Sequence, residues 1–432
     1  MPSTYLTRTF GSPTNRKKFT LSMWVKLSGR GSGNNNALLV CGTAGGDEAT
    51  ISFGNDALTW TEYKPSGTVG YLATNRQFRD YNSWYHLVFS WDTTLSTADD
   101  RMKIYVNGVQ ETSFSGRTNP SQNYDAYLNT NIVHEIGRQT WNSSGRFNGS
   151  MSHIHFCDGY TYQASDFGST DSTTGEWKIN TSPSVTYGNN GFFILKDGNS
   201  VTDQSGNGNN FTVSAGTLTN TEDCPSNVFA TLNPLAGTAI GSYTNGNNRV
   251  VGVATSWTTA PSTLAVSSGK FYCEAKAQHT SLMVGILDID QMVTNNFQGT
   301  KSNGWGYEVT GTLWNNGSGT TSWGSTYTTG DIIGIAMDLD NNKLYFSKNG
   351  TWQNSADPSA GTGGISITAD KTYYFAMSPV DSTSSVIETN FGNGYFGTTA
   401  VASAGTNASG IGIFEYDVPT GYTALSTKGL NL

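Results

Sequence analysis

Residues Gly330 to Gly350 read GDIIGIAMDLDNNKLYFSKNG, a β-hairpin written almost completely in sequence. Ile333, Ile335, Met337 and Leu339 alternate onto one face, while Ile332, Gly334 and Ala336 give the other face smaller groups. Asn341 and Asn342 tolerate the positive φ of a tight turn. Leu344 and Phe346 return along the apolar face, and Asn349-Gly350 starts a further turn.

The remainder of the chain is built the same way. Its 432 residues can bury two or three cores, and 51 Gly with only 13% charged residues is the profile of many short strands joined by polar turns. Phe19, Leu21, Met23, Val25 and Leu27 share one face, with Thr20, Ser22 and Lys26 opposite. Further strands follow at 84–91 (WYHLVFSW), 101–109 (RMKIYVNGV, with an Asn107-Gly108 turn), 132–137, 147–156 and 191–195. Met151 and Ile154 are both apolar yet three apart, which predicts a bulge. Strand after strand without an intervening helix predicts an all-β chain of two antiparallel β-sandwiches in tandem. The expected layout is a jelly roll over 1–213, a Pro-punctuated connector over 214–235 and a second sandwich over 236–432.

Composition also excludes. A net charge of −8 removes the electrostatic drive for nucleic-acid binding, and Arg16-Lys17-Lys18 is too short to restore it. Cys41, Cys157, Cys224 and Cys273 form no CxxC pair, and reduced thiols are expected. Residues 1–10 are polar and no apolar run approaches transmembrane length, so neither a signal peptide nor membrane insertion is expected.

Enzyme chemistry finds little footing. Glycoside hydrolysis needs two carboxylates across the scissile bond, and no ExDxxE-like run exists. Asp288 with Asp290, and Asp338 with Asp340, alternate at strand ends, where turn formation is the preferred reading. No Ser sits in a GxSxG elbow. His153 and His155 could seed a zinc site, but no third ligand is identifiable. Carbohydrate binding needs aromatic faces beside amides and hydroxyls. The candidates are Trp141-Asn142, Tyr124, Trp305, Trp314-Asn315 and Trp323, with Trp314 the best of them; Trp24, Trp84 and Trp91 are assigned to the core.

Particular stretches carry a resemblance. FTLSMWVKLS (19–28), WYHLVFSWD (84–92), KIYVNGV (103–109), FNGSMSHIHFCDG (147–159) and the Asp203-Gln-Ser-Gly206 turn are similar to concanavalin A-like, laminin-G-like domains. One departure is His153, where such domains often carry an acidic residue. These relatives often hold Ca²⁺ in loops, which makes Asp203, Asn207 and Asn209, and Asp47-Glu48, the positions to weigh for calcium against self-satisfied Asx-turns. No other cofactor is implied.

Lys270–Glu274, Val284–Leu287, Gly304–Tyr307, the 330–350 hairpin, Tyr373–Pro379, Asn390–Gly392 and Val418–Leu425 resemble the strands of SPRY (B30.2-like) domains, which are recognition modules. The tandem, with its DCPSNVFATLNPL connector and PTGYTALST end, resembles proteins of tailed bacteriophages, marine ones especially. That resemblance implies a virion-surface protein, either a capsid decoration, a head appendage or a tail-fibre component. It implies other virion proteins and host-surface glycans as partners, and a homo-oligomer, with a trimer favoured. The alternatives are a soluble cellular carbohydrate-binding protein and a degenerate glucanase.

Overall fold

The computed structural model describes residues 4–29, 35–43, 45–81, 83–139, 145–196, 200–236, 242–253, 256–292, 295–380 and 385–431. The chain divides into two compact units, Met1–Asn220 and Thr221–Leu432. Both are built of antiparallel sheets, and no α-helix occurs among the described residues.

In the first unit, eight strands form one sheet in the order Phe114–Thr118, Gly67–Gln77, Ala57–Lys64, Glu48–Gly54, Asn35–Gly42, Val133–Ile136, Tyr5–Thr9 and Thr212–Ala215. Six form the other: Phe192–Ile194, Gly149–Asp158, Lys18–Leu27, Trp84–Asp92, Met102–Val106 and Val109–Gln110. Phe19, Leu21, Met23, Val25 and Leu27 face the core between them, beside Ile51, Trp60, Phe89 and Trp91. The bulge is present: pairing of Gly149–Asp158 with Lys18–Leu27 slips between Ser152 and His155, and His153 takes φ 47°.

The face opposite that core is not solvated as its polar residues suggest. Thr20, Ser22 and Lys26 are all buried, and over Thr20 and Ser22 the chain from 160 to 187 forms a cover, packing Tyr162, Phe167, Trp177 and Tyr187 on Val88, Tyr105 and Cys157. Thr20 satisfies this cover by donating to Tyr160 O and accepting from Tyr162 N. The Asn107-Gly108 turn, at φ 47° and 83°, lets Trp177 lie close: a methyl group on Gly108 would fall 2.4 Å from its ring. Gly108→Ala should therefore cost about 1–2 kcal/mol, read as a lowered urea midpoint.

The second unit pairs a nine-stranded sheet with a six-stranded one. In the first of these, Lys270–Ala277, Ile332–Asp338 and Lys343–Lys348 are central neighbours. The 330–350 hairpin pairs Asp338 opposite Lys343; of its two turn asparagines only Asn342 takes positive φ, at 54°, and Asn349-Gly350 follow at 47° and 79°. Ile333, Ile335, Met337, Leu339, Leu344 and Phe346 all enter the core, and Ala336 lies on the other face with Tyr272 and Tyr345. The six-stranded sheet runs Ala260–Pro261, Tyr373–Pro379, Leu282–Asp288, Gly304–Glu308, Leu313–Asn315 and Ser318–Thr320.

The stretch 214–235, read as a connector, is largely structural. Thr212–Ala215 pairs with Tyr5–Thr9 in the first unit, and Phe229, Ala230 and Leu232 are buried in the second, where Ala230 N donates to Leu425 O at 2.8 Å. All four cysteines are free thiols, three of them buried.

Candidate functional site

Alternation in the six-stranded sheet of the second unit sends Leu282, Val284 and Ile286 inward and leaves Met283, Gly285 and Leu287 on the outer face. Gly304 and Gly306 share that outer face, and the absence of side chains there lets the turn Gln298–Thr300 settle on the sheet. A methyl group on Gly306 would meet Met283 Sδ, and one on Gly304 would meet Gln298 O at 2.1 Å. Gln298 is buried and fixed, its Nε2 donating to Ala376 O and its Oε1 accepting from Ser378.

This turn carries an aromatic ledge. Phe297 stands edge-on to Trp314 (centroids 5.3 Å, interplanar 70°) and to Trp257 (5.0 Å, 61°), and all three rings are half-buried. Gly299 allows the approach, since a Cβ there would lie 2.5 Å from Trp314 Cβ. Thr259 Oγ1 donates to Asn296 O at 2.9 Å and ties the Trp257 segment in. Trp314 Nε1 donates to Glu308 Oε2 at 2.9 Å, so the half-buried indole is held by its edge. Asn315 Nδ2 donates to the carbonyls of Ser302 and Gly304, both at 2.9 Å, and pins the adjoining loop. Such a ledge suits C–H surfaces of a neutral ligand.

The predicted aromatic residues separate. Trp314 and Asn315 lie at the ledge. Trp305, paired with Asn315 and one residue out of step with the Gly306–Trp314 pair, points to the side opposite Trp314, 5% exposed in the core and edge-on to Tyr373, which removes it as a ligand contact. Trp323 leans on Tyr307 and Phe346 at the core margin, away from the ledge. Tyr124 is half-buried against Trp91 in the first unit, with Lys64 Nζ 4.9 Å over its ring. Trp141 and Asn142 lie outside the described residues. Trp24, Trp84 and Trp91 are buried. Trp257 and Phe297 were not read as candidates, although each is a lone aromatic in a polar run, the same signal that marks Trp314-Asn-Asn.

Asp203, Asn207 and Asn209 do not fit a cation. Asp203 already accepts from Phe193 N, Ser205 N, Ser205 Oγ and Asn209 N at 2.8–2.9 Å. Asn207 and Asn209 turn their NH₂ groups, not their oxygens, toward the Gly188, Asn189 and Gly191 carbonyls. Asp47 O instead accepts from Thr43 N, closing its own turn.

The acidic pairs serve turns. Asp288 accepts from Asp290 N and Asn303 Nδ2, Asp338 from Asn341 N and Nδ2, and Asp340 from Gly269 N. His153 and His155 are buried around Phe193, with ring centroids 5.7 and 3.9 Å from it, and His155 Nδ1 meets Tyr187 OH at 2.9 Å. No cluster of three metal-ligating side chains occurs among the described residues. Ser22 does meet His86, at 2.9 Å, but His86 Nδ1 accepts from Trp177 Nε1, so its Nε2 carries the proton and donates to Ser22. That polarity is the reverse of what a nucleophilic serine needs. Burial pushes the His86 pKa down to about 3.

Comparison with known proteins places these two sandwiches. Residues 3–165 match the concanavalin A-like lectin/glucanases superfamily, and residues 270–378 match the SPRY domain. The chain is similar to the SPRY domain of human HERC1, at 18% identity over 37% of this chain and 96% of that one (TM-score 0.31). It is also similar to the PSpry domain of TRIM65 (13%, 37% and 91%, TM-score 0.30) and to a human SPRY domain (15%, 35% and 96%, TM-score 0.28). No curated protein matches the chain. The chain thus carries a concanavalin A-like domain followed by a SPRY domain.

Proposed function

We propose that this protein is a non-enzymatic surface component of a tailed-bacteriophage particle, a capsid decoration, head appendage or tail-fibre piece, that holds host-surface glycans on the aromatic ledge of its SPRY domain. The observation that carries the binding role is the ledge itself: Trp257, Phe297 and Trp314 stay only half-buried while the polar groups around them are committed to positioning. The particle assignment rests on the resemblance of the tandem and its connector to phage proteins. Stacking contributes about 1 kcal/mol per aromatic contact beyond burial, so one site is weak and a trimer repeated over a particle gains by avidity.

Antibody raised against the protein should label intact particles and slow their adsorption to host cells. Absence of label on purified particles would contradict the assignment. The same reading expects no release of reducing ends from β-glucan, alginate or bacterial polysaccharide; release abolished by changing one carboxylate would contradict it.

A further inference from the structure

Aromatic rings accept the C–H surface of any sugar, and a carboxylate beside them makes a choice among sugars. Strand Gly304–Glu308 turns Trp305 and Tyr307 into the core, so Gly306 and Glu308 stand on the outer face, the face that carries Trp314. Glu308 is half-buried, and its Oε2 accepts from Trp314 Nε1 and from Thr310 Oγ1, both at 2.9 Å. These two bonds fix the carboxylate against the edge of the indole. Its Oε1 accepts no hydrogen bond among the described residues and is not one of the buried side-chain oxygens that lack a partner, so this oxygen opens to solvent.

No cation answers this charge. Glu308 makes no ion pair among the described residues. Between 293 and 330 the charged residues are Glu308 and Lys301 alone. Lys301 is tied through its carbonyl to Gly304 N, at the far end of the strand from Glu308. A carboxylate without a counter-ion, held beside three aromatic rings, offers an ammonium group two attractions. The rings draw it by cation–π contact, and Oε1 accepts a charge-assisted hydrogen bond from it. A carboxylate, sulfate or phosphate is repelled at the same place, and the net charge of −8 adds to that repulsion at longer range.

We propose, on the reading of this ledge as a glycan site, that it selects glycans carrying a free amine: an unacetylated amino sugar lays its C–H surface on Trp314 and Phe297 while its ammonium donates to Glu308 Oε1. A neutral sugar keeps the C–H contact and leaves Oε1 to water. An acidic sugar sets a second anion against it. N-acetylation of the amine removes both the charge and the strong donor.

Beads bearing glucosamine oligomers, and the same beads after N-acetylation, test the choice at mildly acidic pH, where the sugar amine is protonated. The full chain should bind the amine form about tenfold more tightly at low salt, with the difference shrinking as salt rises. Glu308→Gln keeps an oxygen for the Trp314 and Thr310 donors, so the domain should fold, and the preference should fall to about twofold or less. Glu176→Gln removes the same charge from an exposed position in the first unit and should leave the tenfold preference in place. Equal behaviour of the two variants would mean general attraction of an acidic chain to cationic beads and would overturn the proposal. Equal binding of the parent chain to both kinds of bead would overturn it while leaving glycan binding intact; binding to neither would overturn the glycan reading as well. Retention on lysine-oligomer beads that matches the amine glycan, and falls equally with Glu308→Gln, would make the ligand a cationic peptide and overturn the glycan assignment.

Discussion

Glu274→Ala should destabilise the SPRY domain by about 3–5 kcal/mol. The substitution removes four hydrogen bonds at once, two of them from fully buried donors. Tyr272 and Asn390 are fully buried, and the N–H groups of Glu415 and Tyr416, on half-buried residues of the C-terminal strap 405–425, both donate to Glu274. The strap also loses its seat for Phe414, which packs edge-on against Tyr272 at 5.1 Å beside Val418 and Tyr422. Urea unfolding followed by exchange protection of Lys270–Ala277 measures the loss. A change under 1 kcal/mol would show that the pairing of Thr423–Ala424 with Phe271–Tyr272 holds the strap without Glu274.

A loss of similar size, about 3–4 kcal/mol, is expected for Asp158→Ala in the first unit. Asp158 is fully buried and accepts from Thr14 N (2.7 Å), Asn15 N (3.3 Å), Asn190 N (3.0 Å) and Asn129 Nδ2 (2.5 Å). One carboxylate thereby joins the loop before Lys18–Leu27 to two others, and Asn190 extends the network to Gly11 and to Asn129. Asp158→Asn should recover little, because its NH₂ would face donors. Urea midpoints of both variants, with exchange protection of Lys18–Leu27, decide the matter; a near-parental midpoint for Asp158→Asn would mean the site tolerates a donor.

Neither carboxylate can be recognised from sequence, and the reason is physical. Glu274 and Asp158 sit in ordinary alternating strands, while their donors lie as far as 142 and 144 residues away along the chain. Period-two patterning reports only which residues share a face. It suffices for the 330–350 hairpin, where the apolar face and the positive-φ turn positions are both local. It fails for Thr20 and Ser22, whose cover arrives from residues 160–187. The same limit divides the tryptophans. Trp305 and Trp314 look alike in a Gly- and Asn-rich text, yet strand register sends Trp305 inward and sets Trp314 opposite Gly306 on the outer face. Trp257 and Phe297 complete the ledge from separate loops, a meeting that spacing along the chain does not announce.

Glycan binding is the role proposed for this ledge. The most direct measurement is the adsorption of multivalent, bead-coupled protein to host-surface polysaccharide, comparing the parent chain with the Trp257→Ala/Trp314→Ala double variant. Loss of two stacking faces at about 1 kcal/mol each predicts a fall of about tenfold or more in apparent affinity. The melting temperature of the SPRY domain should drop by only a few degrees, because both rings are half-buried and Phe297 remains. Undiminished adsorption by a folded double variant would contradict the claim.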